Sequence, residues 1–179
     1  MSTLRLFIPT VALCALGISG MSSCKRAPSP ASGSSAVRTP TATTIVRTAA
    51  LERTPCYGTC PVYKVTLQSD GNVRYEGVRN VRVGGVQTWR VPVESASAVF
   101  RFADSARFTD LGARYDFGDV GCAPFIAELP GFVVTLATAD SAKRVDVNQG
   151  CANIPRVLTA LASLIDRVAR SDSSLAGRP

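Results

Sequence analysis

The six cysteines are the residues of this sequence with the most accessible chemistry, because cysteine can bind metal, exchange electrons, carry lipid or form disulfides. The sequence contains no histidine. That absence excludes a Ser-His-Asp triad, a Cys-His nucleophile pair and every metal site built on imidazole. Since no other catalytic constellation is recognisable, we expect a protein that is not an enzyme and that uses no cofactor.

Cys24 follows a leader-like N-terminal segment. Arg5 precedes an apolar run over residues 6–18, and small residues then lead to Cys24, which is the pattern of a secretory signal peptide. The run is too short to remain as a membrane span. Its end, Met21-Ser22-Ser23-Cys24, resembles a bacterial lipobox, where the precursor is cut just before a cysteine that then carries lipid. We therefore predict a lipoprotein signal over residues 1–23 and lipidation of Cys24; ordinary cleaved secretion is the alternative.

The segment after Cys24 has the composition of a tether. Between Ala27 and Thr44 nearly every residue is Ala, Pro, Ser, Thr or Gly, so the segment has little apolar surface to bury. By resemblance to the rule in enteric bacteria, Lys25 in place of an aspartate favours the outer membrane over the inner membrane. We predict an exported, membrane-anchored lipoprotein with a tether over residues 24–44, a domain over 45–170 and a flexible tail over 171–179.

The net charge of +7 suggests a nucleic-acid partner, but the distribution of charge argues against one. Residues 25–48 carry four basic groups and no acid, whereas residues 49–170 carry 14 basic and 12 acidic groups of interspersed sign. The excess therefore lies beside the predicted anchor, where anionic lipid attracts it. We predict contact with the membrane through the anchor, an envelope protein or a glycan as partner, and no nucleic acid. The oligomeric state stays open.

Alternation of apolar and polar residues begins near residue 45. Tyr63, Val65 and Leu67 share one face of a predicted strand, and Asp70-Gly71 supplies a hairpin turn. Similar alternation continues to Trp89 and recurs over residues 132–147, while residues 45–51 are a possible edge strand.

Two segments have helical spacing instead. Ala96, Val99, Phe100 and Ala103 indicate a helix over residues 94–107, and a second apolar stripe runs from Leu158 to Val168 with Asn153 as its predicted cap. Residues 112–131 read as irregular. We predict an α+β fold, an antiparallel sheet of about five to six strands with two helices packed on one face, in the order strands, helix, hairpin, helix.

Four cysteines remain once Cys14 is assigned to the signal and Cys24 to the anchor. An even number in an exported chain indicates disulfides, and four cysteines allow three pairings. We favour Cys56–Cys60, whose loop Gly58 helps to close, together with Cys122–Cys151, which would fix the irregular loop to the start of the last helix. The alternative is a copper or thiol-redox site at Cys56 and Cys60, because Cys-x-x-x-Cys-Pro resembles the motif of copper chaperones that serve cytochrome oxidase. Those chaperones also need a distal histidine.

Two further groups of residues are candidate sites. Asp116, Asp119 and Glu128 could collect a calcium ion, although no calcium-loop spacing is present, so we predict no metal site apart from the cysteine alternative. Four aromatic residues could form a binding surface, although aromatics at strand spacing belong more often to a core; they are Tyr57, Tyr63, Tyr75 and Trp89.

The strongest family signal spans about 22 residues. Cys56-Tyr57-Gly58-Thr59-Cys60-Pro61, followed by Asp70-Gly71 and Tyr75-Glu76-Gly77, resembles an uncharacterised bacterial family, the domain of unknown function 6438. Looser matches extend the resemblance over roughly residues 48–170, at Leu111, Tyr115, Val145, Leu161 and Ile165-Asp166. The resemblance implies a secreted or lipid-anchored envelope protein without assigned activity. We predict a non-catalytic binding or structural module, with a thiol-redox or copper protein as the alternative.

Overall fold

The computed structural model describes residues 45–172 and Leu175. The predicted signal peptide, Cys24 and the predicted tether lie outside the described residues. Within the described part of the chain, no helix combines the length and apolar character that crossing a membrane requires.

The described residues form seven strands, two α-helices and one 3₁₀ turn, joined by loops. The strands are β1 (Thr48–Arg53), β2 (Val62–Gln68), β3 (Asn72–Arg79), β4 (Gly85–Arg90), β5 (Arg114–Tyr115), β6 (Gly131–Ala137) and β7 (Ala142–Asn148). The helices are α1 (Val93–Ser105) and α2 (Arg156–Ala169), and the 3₁₀ turn is Phe108–Asp110. The strands form one sheet in the order β4-β3-β2-β1-β6-β7-β5. Each neighbouring pair is antiparallel except β5 and β7, which are parallel.

The predicted α+β class with two helices is confirmed, but the predicted strand count and order were wrong. The predicted edge strand is instead β1, at the centre of the sheet, paired with β2 on one side and with β6 on the other. The pairing of Leu51 with Val134 joins residues 83 positions apart, so chain order alone does not indicate it. The segment read as irregular contains β5, whose two residues are too short for any periodicity to mark.

The core lies between the helices and one face of the sheet. Alternation along the strands buries Leu51, Val65, Tyr75, Val134 and Val145 completely, and both helices contribute their apolar stripes to the same cluster. The opposite face of the sheet carries ion pairs, including Lys64 with Glu52 and Arg144 with Asp146. One buried and one charged face are what the period-two pattern requires.

Two segment ends differ from the sequence prediction. Asn153 does not cap α2, because Pro155 occupies the cap position and the Asn153 Nδ2 donates to the carbonyl of Ala123 at 2.9 Å. In the segment predicted as a flexible tail, Ser171 is fully buried. The carbonyl of Leu175 accepts hydrogen bonds from the backbone N–H groups of Arg82 and Val83 at 3.0 and 3.1 Å. Ser171 and Leu175 are thus part of the folded domain.

Candidate functional site

The Cys56–Cys60 disulfide closes the short loop between β1 and β2. The two sulfur atoms are 1.98 Å apart and the two Cα atoms 5.7 Å apart. Gly58, inside the loop, has φ +149°, and its N–H donates to the Cys56 carbonyl at 2.9 Å. Tyr57 is 85% exposed at the tip of the loop, and both cysteines are half-buried. The loop therefore presents an aromatic side chain from a backbone that the disulfide constrains.

The Cys122–Cys151 disulfide attaches the loop between β5 and β6 to the chain between β7 and α2. Both cysteines are buried. Backbone hydrogen bonds reinforce the attachment, from the Ile126 N–H to the Gly150 carbonyl at 2.8 Å and from the Ala152 N–H to the Pro124 carbonyl at 3.1 Å. A Cβ at position 150 would collide with the Ile126 carbonyl, so this approach requires glycine.

The two disulfide-bonded loops lie at the same end of the sheet, the end at which β1 finishes and β2 begins. We term it the disulfide end. They touch there, because the Tyr57 N–H donates to the Glu128 carbonyl at 3.4 Å. Together they carry exposed large apolar side chains, which we term the loop surface: Tyr57, Phe117, Val120, Ile126 and Leu129. The Phe117 ring also packs against Phe125 at 5.3 Å between centroids. Several large apolar side chains exposed on two touching loops are a candidate interaction surface.

Two of the three acidic residues considered for calcium, Asp116 and Asp119, form side-chain contacts, whereas the Glu128 side chain is exposed. Asp119 accepts two hydrogen bonds from the Arg114 guanidinium, at 3.1 and 2.8 Å, and one from the Asp116 N–H at 2.8 Å. The Arg114 hydrogen bonds, and next the Asp116 N–H, hold the pKa of the Asp119 carboxyl below its usual value. Within residues 45–172, no three His, Cys, Asp or Glu side chains are placed to hold a metal ion together. Asp116 and Asp119 instead accept backbone hydrogen bonds that order this part of the loop.

The four aromatic residues considered as a binding surface do not share one. Tyr63 and Tyr75 are buried in the core, where their ring centroids are 5.5 Å apart, and Trp89 packs beside Tyr75 at 6.4 Å. Tyr57 is the exposed member of the set, on the Cys56–Cys60 loop. Strand alternation places the other three on the face that the helices cover. The expectation of a four-residue surface was therefore wrong, and Tyr57 belongs with the apolar residues of the loop surface.

A buried polar cluster around Asp166 was missed by the sequence analysis. Asp166 lies on α2, and its Oδ2 accepts hydrogen bonds from the Arg53 Nη2 at 2.6 Å and Nε at 3.2 Å. Its Oδ1 accepts from the Tyr63 hydroxyl and from the Ser171 hydroxyl, both at 2.7 Å. Burial, and next the Asp166 charge, raises the pKa of the Tyr63 phenol, so that phenol stays neutral. The sequence did contain a signal for this cluster, because Asp166 follows Ile165 and so lies beside the apolar stripe of the predicted helix.

The Asp166 cluster has the chemistry of a structural anchor. Each carboxylate oxygen is engaged by two donors, and the cluster joins β1, β2, α2 and the chain beyond α2. The Arg53 guanidinium additionally lies 5.5 Å above the Phe132 ring. A buried charge with saturated hydrogen bonding has no free lone pair for a substrate proton. Asp166 fixes the side chain of Arg53, which lies three residues before Cys56. It therefore fixes the strand end from which the Cys56–Cys60 loop begins.

The family model for the domain of unknown function DUF6438 matches residues 47–169. The matched span starts one residue before β1 and ends at the last residue of α2, so it includes the whole sheet, both helices and both disulfides. The resemblance noted in the sequence is confirmed by this match. No curated protein matches the chain.

Proposed function

This chain belongs to the family of the domain of unknown function DUF6438, and on that premise we propose that it is a lipid-anchored bacterial envelope protein whose domain binds a partner through the loop surface. The observation that carries the proposal is the disulfide end. Two disulfides constrain two touching loops, and large apolar side chains stand exposed on both of them.

The loop surface suits binding because its backbone is ordered before a partner arrives. Immobilising a free loop on binding would lose conformational entropy, and a disulfide that closes the loop removes much of that loss in advance. Tyr57 and Phe117, exposed by 85% and 74%, are aromatic residues, a class enriched at protein interfaces. An envelope protein is the partner class we favour, and a glycan that stacks on aromatic rings is the second.

The position of residue 45, the first described residue, is compatible with this proposal. Residue 45 leads into β1 at the end of the sheet opposite to the disulfide end. The attachment point of the segment before residue 45 therefore lies outside the loop surface. Export into an oxidising compartment would also allow both disulfides to form and persist.

The lipid anchor is tested by replacing Cys24 with alanine in the full chain. We expect Cys24→Ala to abolish incorporation of labelled palmitate and to leave the leader uncut, because the predicted processing site needs the cysteine. Cys14→Ala, inside the predicted leader, is the matched control and should be labelled like wild type. Unchanged labelling and precursor size in Cys24→Ala would show that this residue is not the anchor.

Binding through the loop surface is tested by crosslinking in cells, followed by extraction of the full chain and quantification of co-purified partners. We expect Phe117→Ser with Ile126→Ser to lower partner recovery at least about tenfold, since truncated hot spots typically lose 2 kcal/mol or more. Val86→Ser with Val93→Ser is the control, because both valines are also exposed, by 50% and 47%, but lie outside the loops. Equal recovery in the two double variants would contradict the proposed surface.

A thiol-redox or copper function at Cys56 and Cys60 is the second candidate. It is favoured by exposure, because these cysteines are half-buried whereas Cys122 and Cys151 are buried. A thiolate must be reached by its partner to exchange electrons or take up Cu(I). Stoichiometric Cu(I) uptake by the protein after mild reduction, lost in Cys56→Ala with Cys60→Ala, would favour this function over a structural disulfide.

A further inference from the structure

A cavity of about 450 Å³ lies at the end of the sheet opposite to the disulfide end. Its walls are the C-terminal turn of α1, the 3₁₀ turn and the β6–β7 hairpin, so we term it the hairpin cavity. Leu136 and Ala142 supply apolar wall, Phe108 is buried behind the surface, and Arg47 lines the cavity beside the start of β1. Such a volume is in the range of sites for small molecules.

The charged residues on the walls do not cancel completely. Arg47 forms a bidentate pair with Asp104, at 2.8 and 2.7 Å, and the Arg107 Nε donates to Asp110 at 2.9 Å. Lys143 is the fifth charged residue on the walls. Two cation–carboxylate pairs and one further cation leave the walls with one net positive charge.

The Lys143 ammonium carries that excess charge. It is half-buried, and its Nζ donates to the backbone carbonyl of Leu111 at 2.6 Å. No carboxylate of the described residues forms an ion pair with it. An ammonium has three donors, and a neutral carbonyl satisfies one of them without compensating the charge. A single anionic group is the missing complement.

We propose that the hairpin cavity binds a small organic monoanion, a carboxylate with a short apolar body. Lys143 pairs with the carboxylate, and Leu136 and Ala142 contact the apolar part. A monoanion matches the single excess charge, whereas the charge of a phosphate dianion would exceed it. The site is independent of the lipid anchor and of the loop surface, and it adds a ligand of defined chemistry to this domain.

Hexanoate and its uncharged analogue hexanamide are the probes. The full chain, extracted in a non-ionic detergent, is titrated with each probe, and chemical shifts are followed at Leu136 and Ala142. We expect saturable binding of hexanoate and at least about tenfold weaker binding of hexanamide, because the neutral amide cannot compensate the charge of the Lys143 ammonium. Equal affinities, or the absence of saturable hexanoate binding, would overturn the proposal.

Variants of Lys143 identify the charge partner. Lys143→Met should weaken hexanoate at least about tenfold and leave the hexanamide affinity unchanged. Lys143→Gln, which retains a donor for the Leu111 carbonyl, should give the same result if the methionine variant does not fold. Lys64→Met is the control, because Lys64 pairs with Glu52 on the charged face of the sheet, away from the cavity. Wild-type hexanoate affinity in a folded Lys143 variant would refute the assignment.

Discussion

Replacing Arg53 with methionine is expected to destabilise the domain by about 3–4 kcal/mol, because it leaves a buried carboxylate without its cation. The Asp166 side chain is 6% exposed, and the Arg53 guanidinium approaches it to 2.6 Å. Methionine retains most of the aliphatic volume of arginine, so the loss of the charge dominates the change. Urea unfolding of wild type and variant, compared at equal m-values, measures the difference in free energy.

Two further variants separate the ion pair from other effects of the change. Arg53→Met combined with Asp166→Asn should recover about half of the loss, because asparagine removes the unpaired charge and keeps an acceptor for the Tyr63 hydroxyl. Arg74→Met is the matched control, since Arg74 and Glu76 form an exposed pair that should contribute less than about 1 kcal/mol. If Arg53→Met and Arg74→Met had equal stabilities, Asp166 would not be an anchor of the fold.

The anchor also connects stability to the loop surface. Arg53 is the last residue of β1, and Cys56 follows three positions later. Tyr63 is the second residue of β2, just after Cys60. Because Asp166 binds both side chains, it fixes the two strand ends from which the Cys56–Cys60 loop emerges. The buried cluster thus positions an exposed site without contributing a contact to it.

Removing the Cys122–Cys151 disulfide is expected to cost about 3–4 kcal/mol, against about 2 kcal/mol for the Cys56–Cys60 disulfide. The reason is the sequence separation, 29 residues for one and 4 for the other, because closing a longer loop removes more entropy from the unfolded chain. Double alanine variants of each pair, expressed in an oxidising compartment and unfolded in urea, measure both values.

The same variants have an internal control, since each lacks one disulfide and retains the other. Equal losses from the two pairs would contradict the loop-entropy explanation. The oxidation state of the isolated wild-type protein bears on the alternative function as well. A structural disulfide at Cys56–Cys60 should be closed in exported protein and resist mild reductant, and two free, titratable thiols there would instead favour the redox or copper function.

Local signals in the sequence located much of the domain. The Asp70-Gly71 turn is one case, with Gly71 at φ +88° and the Asn72 N–H donating to the Asp70 side chain at 3.0 Å. The apolar spacing of Ala96 to Ala103 is another, since these residues form the buried stripe of α1. Signals of this kind survive because side-chain period and turn chemistry act within a few residues.

The sequence alone failed where distant segments meet. The role of Tyr63 and Tyr75 as core residues depends on helices that pack on one face of the sheet, and the placement of β1 depends on β6, which arrives about 80 residues later. The Asp166 cluster needs a strand end, a helix and the chain after that helix at one point. No residue spacing in the sequence indicates that these three segments come into contact.

By itself, the sequence determined the composition and the local patterns. These are an even number of cysteines, the absence of histidine, the alternation typical of strands, the spacing typical of amphipathic helices, and a family motif. Tertiary structure alone decided that two separate loops meet at the disulfide end and that one aspartate is buried among three donor residues. It also decided that Lys143 lines a cavity without a carboxylate partner among the described residues. The physical reason is the separation along the chain over which each interaction acts. Propensity and periodicity act between near neighbours, whereas burial and charge pairing depend on contacts between residues far apart in the chain.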